Sequence, residues 1–143
     1  MRLLLDTHVV LWWLADDPLL GDDVKGTIDT EVDVFVSAAS LWEVSIKQTL
    51  GKLGPRDLPE RILASGLREL PMTAMHGITA GRLPPHHRDP FDRMLVAQAS
   101  TEGMTLATRN PDIAKYDVSL LLVLVPRPGT LLMPADASGG WRR

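Results

Sequence analysis

The sequence predicts an α/β fold in which helices cover both faces of a central, mainly parallel sheet. Three observations support this: four short, continuously apolar runs, helical apolar patterns between them, and a polar residue directly after most of the runs. Continuous apolar runs are typical of strands that are covered on both faces, as in a parallel sheet. The alternation of strands with helices indicates crossover connections within one sheet.

The four apolar runs are the predicted strands, at residues 3–5, 34–36, 105–107 and 120–125. Helices are predicted from apolar side chains spaced three or four residues apart, at residues 9–16, 42–53, 58–70 and 91–99. Gly51 and the pair Gly54-Pro55 end the second of these helical patterns, and Gly103 is the expected C-cap of the last.

The composition fits one domain and excludes several classes of protein. The chain has 143 residues and no cysteine, which excludes zinc ribbons, thiol catalysis and disulfide scaffolds. We expect a soluble, cytoplasmic protein without membrane contact, because no apolar run approaches the ~18 residues of a membrane span and no signal-peptide core is present. We expect a domain at residues 1–125 and a Pro/Gly-rich C-terminal extension at residues 126–143.

The charge is distributed unevenly along the chain. The net charge of −3 argues against a general nucleic-acid coat. However, residues 1–35 hold eight acids and two bases, a net charge of −6, and residues 36–143 hold ten acids and thirteen bases, a net charge of +3. A basic surface beside an acidic pocket is therefore compatible with the sequence.

Carboxylates lie at or near several predicted strand ends. Asp6 closes the first strand, Glu43 lies early in the helix after the second, and Asp89 and Asp92 open the helix before the third. In an open α/β sheet, the ligand site lies beyond the carboxyl ends of the strands. A cation usually neutralises such a cluster, and oxygen ligands without cysteine favour Mg²⁺ or Mn²⁺. The pattern therefore predicts a candidate metal site.

Helix capping is the alternative explanation for most of these acids. Residues 40–43 (Ser-Leu-Trp-Glu) fit a capping box, and residues 89–92 (Asp-Pro-Phe-Asp) fit an N-cap, an N1 proline and an acidic N3. Residues 110–112 (Asn-Pro-Asp) repeat the second pattern. Capping does not explain Asp6, because Thr7 is available as the N-cap of the helix that follows. The two interpretations are also compatible, since a helix N-terminus offsets repulsion between carboxylates.

For several other side chains we expect structural or contact roles. His86 and His87 are adjacent, so their side chains diverge, and a loop position or substrate contact is expected for them. His8 and His76 are expected to be structural. Trp12-Trp13 and Trp42 are expected in the core or at an interface. The motifs of nucleotide-binding loops, zinc proteases and serine hydrolases do not occur in the sequence.

Five blocks of the sequence, taken together and in order, resemble the PIN-domain proteins of the VapC type, the toxin ribonucleases of type II toxin–antitoxin pairs. The blocks are LLLDTH (residues 3–8), LWWL (11–14), VSAASLWEV (36–44), GKL (51–53) and HRDPFDRMLVAQA (87–99). The resemblance implies an αβα sandwich with a sheet of four to five strands. It also implies an acidic pocket that binds Mg²⁺, for which Mn²⁺ can substitute, and that cleaves RNA.

The resemblance assigns roles to individual residues. Asp6 and Asp92 would be metal ligands, and Glu43 would be a ligand or would orient water. Asp89, in the same block as Asp92, is the next candidate for a catalytic role. The candidate phosphate contacts are four basic residues: Lys47, Arg88, Arg93 and Arg109. Lys47 lies one turn after Glu43, so an ion pair with Glu43 is its simpler expected role.

One departure from the family pattern supports an alternative function. Many relatives carry aspartate where this chain has Asn110. An amide adds no negative charge, so the binding of a second metal ion is in doubt. Asp112 is a weak substitute. The alternative is a catalytically degenerate PIN domain that binds RNA or a partner. A phosphatase of the haloacid dehalogenase type is disfavoured, because it needs an aspartate where His8 stands.

The resemblance also implies partners. These are a cognate VapB-type antitoxin, an RNA substrate such as tRNA, rRNA or mRNA, and a second copy of the chain. A homodimer would then form a heterotetramer or a larger assembly with the antitoxin.

Overall fold

A computed structural model describes residues 1–124 and shows a five-stranded sheet with helices on both faces. The strands are β1 (Arg2–Leu5), β2 (Asp33–Ser37), β3 (Arg68–Leu70), β4 (Thr105–Thr108) and β5 (Leu120–Leu122). The helices are α1 (Thr7–Leu14), α2 (Asp22–Thr30), α3 (Ala38–Thr49), α4 (Leu58–Leu63), α5 (Ala74–Arg82) and α6 (Pro90–Glu102), and a 3₁₀ helix follows at Pro111–Lys115. The strand order is β3-β2-β1-β4-β5, and every pairing is parallel. The predicted α/β sandwich is confirmed.

The register of the central strands brings their carboxyl ends together. Leu5 of β1 pairs with Val36 of β2 and with Ala107 of β4. The residue that follows each of these positions is polar: Asp6, Ser37 and Thr108. One edge of the sheet therefore carries three adjacent polar positions.

Two apolar clusters cover the two faces of the sheet. Leu3 and Leu5 of β1 point into a cluster that includes side chains of α1, α2, α3 and α4. Leu4, between them, points into the other cluster, with Leu95 and Val96 of α6. This alternation follows from strand geometry, in which successive side chains point to opposite faces. The continuous apolar run thus fits a strand covered on both sides.

The prediction of one helix over residues 58–70 is wrong. Helix α4 ends at Leu63, and β3 begins at Arg68 at the edge of the sheet. Gly66 lies between them with a φ of +96°, a left-handed conformation that interrupts a helix and that glycine adopts readily. Leu67 and Leu70 are buried as expected, but only Leu70 belongs to an element, and that element is a strand.

Smaller differences concern the ends of elements. Helix α1 stops at Leu14, before the predicted end at residue 16, and Asp16 has a left-handed φ of 52°. Strand β5 ends at Leu122, and residues 126–143, the predicted extension, lie outside the described residues. Within residues 1–124, no helix combines the length and the apolar character needed to cross a membrane.

Candidate active site

Asp6 lies between β1 and α1 and is the N-cap of α1. Its Oδ1 accepts a hydrogen bond of 2.8 Å from the backbone nitrogen of Val9. The expectation that Thr7 serves as the cap is therefore wrong, because Thr7 is already the first helical residue. Asp6 is only 5% exposed, and burial raises the pKa of its carboxyl from 3.8 to about 6. The negative charge of Asp92 also raises this pKa, while hydrogen bonds from the Thr108 side chain and from backbone groups oppose the rise.

Glu43 lies in the second turn of α3 and does not cap that helix. Helix α3 begins at Ala38, and Ser37 is its N-cap, with Oγ accepting a 3.0 Å bond from the backbone nitrogen of Ala39. The predicted capping box at residues 40–43 is wrong for this reason. Glu43 is 7% exposed, and its Oε1 accepts a hydrogen bond of 2.6 Å from Thr7 Oγ1. Its Oε2 lies 3.2 Å from Lys47 Nζ, which confirms the expected ion pair.

Asp89 is the N-cap of α6, as the capping interpretation predicts. Its Oδ1 accepts hydrogen bonds from the backbone nitrogens of Phe91, at 2.8 Å, and Asp92, at 3.3 Å. Pro90 occupies the first helical position, where a missing N–H costs nothing. These bonds fix the start of α6 and thereby place Asp92 at the same edge of the sheet.

Asp92 connects the predicted acids electrostatically. Its carboxyl has a raised pKa, because of burial first and then because of the negative charges of Asp89 and Glu43. A hydrogen bond with His87 acts in the opposite direction. Since Asp92 also raises the pKa of Asp6, the four acids predicted from the sequence form one interacting group.

The tightest arrangement of ligand atoms differs from the predicted metal set. Among the described residues, one ligand atom each from His87, Asp89 and Asp92 lie within 4.8 Å of one another. Asp6 and Glu43 interact with Asp92 but do not belong to this trio. Two carboxylates and an imidazole suit a divalent cation, and a cation would relieve the repulsion between carboxylates that contributes to the raised pKa of Asp6 and of Asp92.

His87 is the site residue that sequence reasoning missed. Its Nε2 lies 2.8 Å from Asp92 Oδ2 and 3.3 Å from Asn110 Nδ2. The neighbouring ring of His86 packs on Tyr116 instead, so the two side chains diverge as expected. The spacing His-x-Asp-x-x-Asp over residues 87–92 is the signal that could have found it, because it brings all three side chains to one helix start.

Asn110 is the N-cap of the 3₁₀ helix. Its Oδ1 accepts a hydrogen bond of 3.0 Å from the backbone nitrogen of Asp112 and so begins the 3₁₀ helix. Asp112 is exposed, and its carboxylate lies 3.7 Å from Lys115 Nζ. Asp112 does not belong to the group of ligand atoms described above, whereas Asn110 contacts His87 of that group.

The four predicted phosphate contacts lie in different environments. Lys47 is paired with Glu43, and Arg88 is exposed beside Asp89. Arg93 is turned away from the acids, because its guanidinium donates to the backbone oxygens of Ala80, Leu83, Pro84 and His87. It therefore fixes the connection between α5 and α6. Arg109 is exposed at the end of β4, close to His8.

Two further histidines and three tryptophans were also singled out in the sequence. His76 is buried, and its Nε2 lies 2.9 Å from Glu102 Oε2, so it is structural as expected. Burial and the charge of Arg109 lower the pKa of His8 to about 4. Trp12 and Trp13 are core residues, whereas Trp42 is 57% exposed and its ring centroid lies 5.3 Å from that of Phe91.

A groove of about 460 Å³ adjoins the acids between α3 and the start of α6. Apolar and basic side chains line it together with two of the acids: Glu43, Ile46, Lys47, Leu50, Lys52, Arg88, Asp89, Pro90 and Phe91. The groove therefore combines apolar side chains with three basic and two acidic ones, and two of the charged side chains, Lys47 and Glu43, form an ion pair.

The profile of the PIN domain family matches residues 3–119 of this chain. The chain belongs to the PIN-domain family. A search of curated proteins found no sequence match. Several solved structures share the fold of this PIN domain, at sequence identities that establish the fold alone.

These structures include complexes named VapBC. One is VapBC2 from Rickettsia felis bound to a promoter DNA fragment, with a TM-score of 0.67, 17% identity and coverage of 85% of this chain and 98% of that chain. DNA-bound VapBC from Salmonella typhimurium gives a TM-score of 0.64, 17% identity and coverage of 87% and 99%. VapBC-5 from Mycobacterium tuberculosis, a member of the VapBC family of toxin–antitoxin systems, gives a TM-score of 0.52, 20% identity and coverage of 87% and 100%.

Proposed function

We propose that this PIN domain is a metal-dependent endoribonuclease toxin of the VapC type. The observation that carries the proposal is the electrostatic interaction of Asp92 with Asp6, Asp89 and Glu43 at the carboxyl edge of a parallel sheet. Grouped carboxylates that are partly removed from water are costly unless a cation balances them. Such an arrangement suits hydrolysis of a phosphodiester, whose charge also needs balancing.

Asp6 and Asp92 are the proposed ligands of Mg²⁺ or Mn²⁺. When bound, a divalent cation would supply an activated water and would balance negative charge on the phosphate. Helix α1 fixes the Asp6 carboxylate through the Val9 N–H, and His87 fixes one oxygen of Asp92. Asp89 holds the start of α6 and adds negative charge beside Asp92.

Glu43 is proposed as a ligand or as the residue that orients water. Thr7 and Lys47 each hold one of its carboxylate oxygens, so the side chain is confined to one position. This arrangement favours the orienting role, because both carboxylate oxygens already have a partner within the protein. The buried hydroxyl of Thr7 also contacts Ser40 Oγ at 3.0 Å, which joins α1 to α3 beneath the site.

The toxin role and its partners are supported by the fold shared with the VapBC complexes and by the exposed apolar side chains on α3. Trp42 and Ile46 on α3 and Leu50 directly after it are exposed, and Ile46 and Leu50 line the groove. We propose that a VapB-type antitoxin neutralises the toxin and that two copies of the chain form a homodimer, assembled with antitoxin as a heterotetramer or larger. RNA cleavage that stops translation takes place in the cytoplasm, which is the proposed location.

Cleavage of RNA is the first test of this proposal. Purified protein is incubated with total cellular RNA and Mg²⁺ or Mn²⁺, beside Asp6→Asn and an EDTA control. Asp17→Asn is the matched control, because Asp17 is also a buried aspartate that accepts a backbone bond, from Leu19 at 2.9 Å, but lies outside the acidic group. Discrete fragments from wild type and Asp17→Asn alone are expected. Equal cleavage by Asp6→Asn would refute the mechanism.

A non-cutting PIN domain that binds RNA or a partner is the second candidate, and Asn110 favours it. The side-chain amide of Asn110 caps the 3₁₀ helix and adds no negative charge to the site. Folded wild-type protein without cleavage, together with a gain of cleavage in Asn110→Asp, would support this alternative.

The toxin role has its own test in cells. Induced expression of wild type is expected to arrest growth, Asp6→Asn is expected to be harmless, and co-expression of a cognate VapB-type antitoxin is expected to restore growth. Arrest by both proteins to the same degree would contradict a nuclease toxin.

A further inference from the structure

Arg109 lies at the same edge of the sheet as the candidate site. It directly follows Thr108, the last residue of β4. The carbonyl oxygen of Ala107 in that strand accepts a 2.9 Å hydrogen bond from the backbone nitrogen of Asp6. The Arg109 side chain therefore begins close to the acids.

The guanidinium of Arg109 is exposed and is held by neutral rings. One nitrogen lies 3.3 Å from His8 Nε2, and the central carbon lies 5.6 Å from the ring centroid of Trp12. Within residues 1–124, no carboxylate lies in salt-bridge contact with it. By contrast, Lys47 is neutralised by Glu43, and Arg93 is used by backbone oxygens. Arg109 thus keeps an uncompensated positive charge at the site.

His8 and Trp12 fix the orientation of that charge. A guanidinium can only donate, so His8 Nε2 is the acceptor in this contact and its ring is neutral. The His8 ring also packs against Trp12, with 5.9 Å between centroids, and Trp12 is buried. A stacked guanidinium keeps most of its donors available for a planar or tetrahedral anion.

We propose that Arg109 binds a phosphate of the RNA backbone next to the cleaved bond and that His8 is its positioning residue. This inference rests on the proposed ribonuclease function. Asp6, Thr7 and His8 are consecutive at the start of α1, so one helical turn would hold the metal, fix Glu43 and orient the phosphate contact.

The test measures RNA binding without cleavage. A fluorescein-labelled 12-nucleotide single-stranded RNA of mixed sequence is titrated with protein in EDTA at several salt concentrations, and anisotropy is read. Arg109→Ala is expected to weaken binding about tenfold. It should also reduce the slope of log K against log salt by ~0.7, the loss of one phosphate contact.

Arg2→Ala is the matched control for the loss of a stacked arginine. Arg2 also lies over an aromatic ring, 5.6 Å from the centroid of Phe35, but at the opposite end of β1. It should leave both affinity and slope unchanged. An Arg109→Ala protein that matches Arg2→Ala would overturn the inference.

His8 is tested by substitution and rescue. His8→Leu is expected to weaken binding between about two- and tenfold, because the guanidinium loses its orientation. His8→Gln, which keeps an acceptor, should restore most of the affinity. In an Arg109→Ala background, His8→Leu should have no further effect. An undiminished effect there, or no rescue by glutamine, would exclude the positioning role.

The cleavage assay separates this inference from the function on which it rests. Cleavage by wild type with an unchanged Arg109→Ala titration refutes the inference and leaves the ribonuclease standing. Wild type that neither cleaves nor binds RNA refutes both.

Discussion

Replacement of Asp6 by asparagine should stabilise the metal-free protein, although it should abolish cleavage. Burial raises the pKa of Asp6 from 3.8 to about 6, so the folded protein binds this proton more tightly than the unfolded chain does. Stability then falls as the pH rises from about 4 to 6, and the full cost is present above pH 6. Asparagine carries no charge and is an equally good N-cap, so it keeps the bond from Val9 without this cost.

The size of the effect follows from the pKa. At 1.36 kcal/mol per pKa unit, a rise from 3.8 to about 6 corresponds to about 3 kcal/mol. The expected gain for Asp6→Asn is therefore about 3 kcal/mol at pH 7.5. At pH 4.5 the expected gain is only about 1 kcal/mol, because this pH lies only slightly above the pKa of the carboxyl in the unfolded chain. Because the Asp6 carboxyl is buried, solvent screens its charge little, and the full value is expected.

Urea unfolding in EDTA at the two pH values measures the gain, with Asp17→Asn as the control for replacing a buried carboxylate that accepts a backbone hydrogen bond. Added Mn²⁺ should stabilise wild type, by about 2.7 kcal/mol at a hundred times its dissociation constant, and should not stabilise Asp6→Asn. The reasoning is refuted if the gain at pH 7.5 equals the gain at pH 4.5, or if Asp17→Asn gains as much.

Three further predictions concern residues that support the site. Thr7→Val should reduce cleavage by freeing Glu43 and should cost about 1–3 kcal/mol in urea unfolding, whereas Thr7→Ser should retain both activity and stability; equal loss in the two variants would contradict a role for the hydroxyl. Gly66→Ala should destabilise by about 1–2 kcal/mol, because its φ of +96° is left-handed although a Cβ would meet no atom within 4 Å, and Gly77→Ala, within α5, should instead stabilise; a neutral Gly66→Ala would refute the backbone argument. Arg93→Lys should cost at least about 1.5 kcal/mol through lost bonds to backbone oxygens, while the salt dependence of RNA binding stays unchanged; a lower salt slope would show that Arg93 contacts phosphate after all.

The strands that carry the site were predictable because they are buried on both faces. Residues 3–5 and 34–36 and the pair Leu106-Ala107 are continuously apolar, and the structure places all of them in the three central strands. Strand β3 was not predictable in this way, because it lies at the edge and two of its three residues are exposed. Its leucine at position 70 fell by chance on the helical spacing of α4.

The identity of the site residues was predictable, but their contacts were not. Sequence spacing places an acid at a strand end or a helix start, and it carries no information on which neighbour a side chain meets. Glu43 meets Thr7, which is 36 residues away, and Asp92 meets Asn110 through His87. Arg93 shows this most clearly. Its sequence position beside Asp92 suggests a phosphate contact, but its guanidinium donates to four backbone oxygens.

Capping and metal binding, which the sequence presents as alternatives, follow together from the topology. In a parallel sheet, the helix that follows a strand begins at the carboxyl edge, as α1 and α3 do after β1 and β2. Helix α6 leads into β4 and therefore begins at the same edge. Three helix N-termini thus point their partial positive charge at one place, which lowers the cost of grouping carboxylates there. Asp6 and Asp89 are caps because they stand at that edge, and the same position makes them candidates for holding a cation.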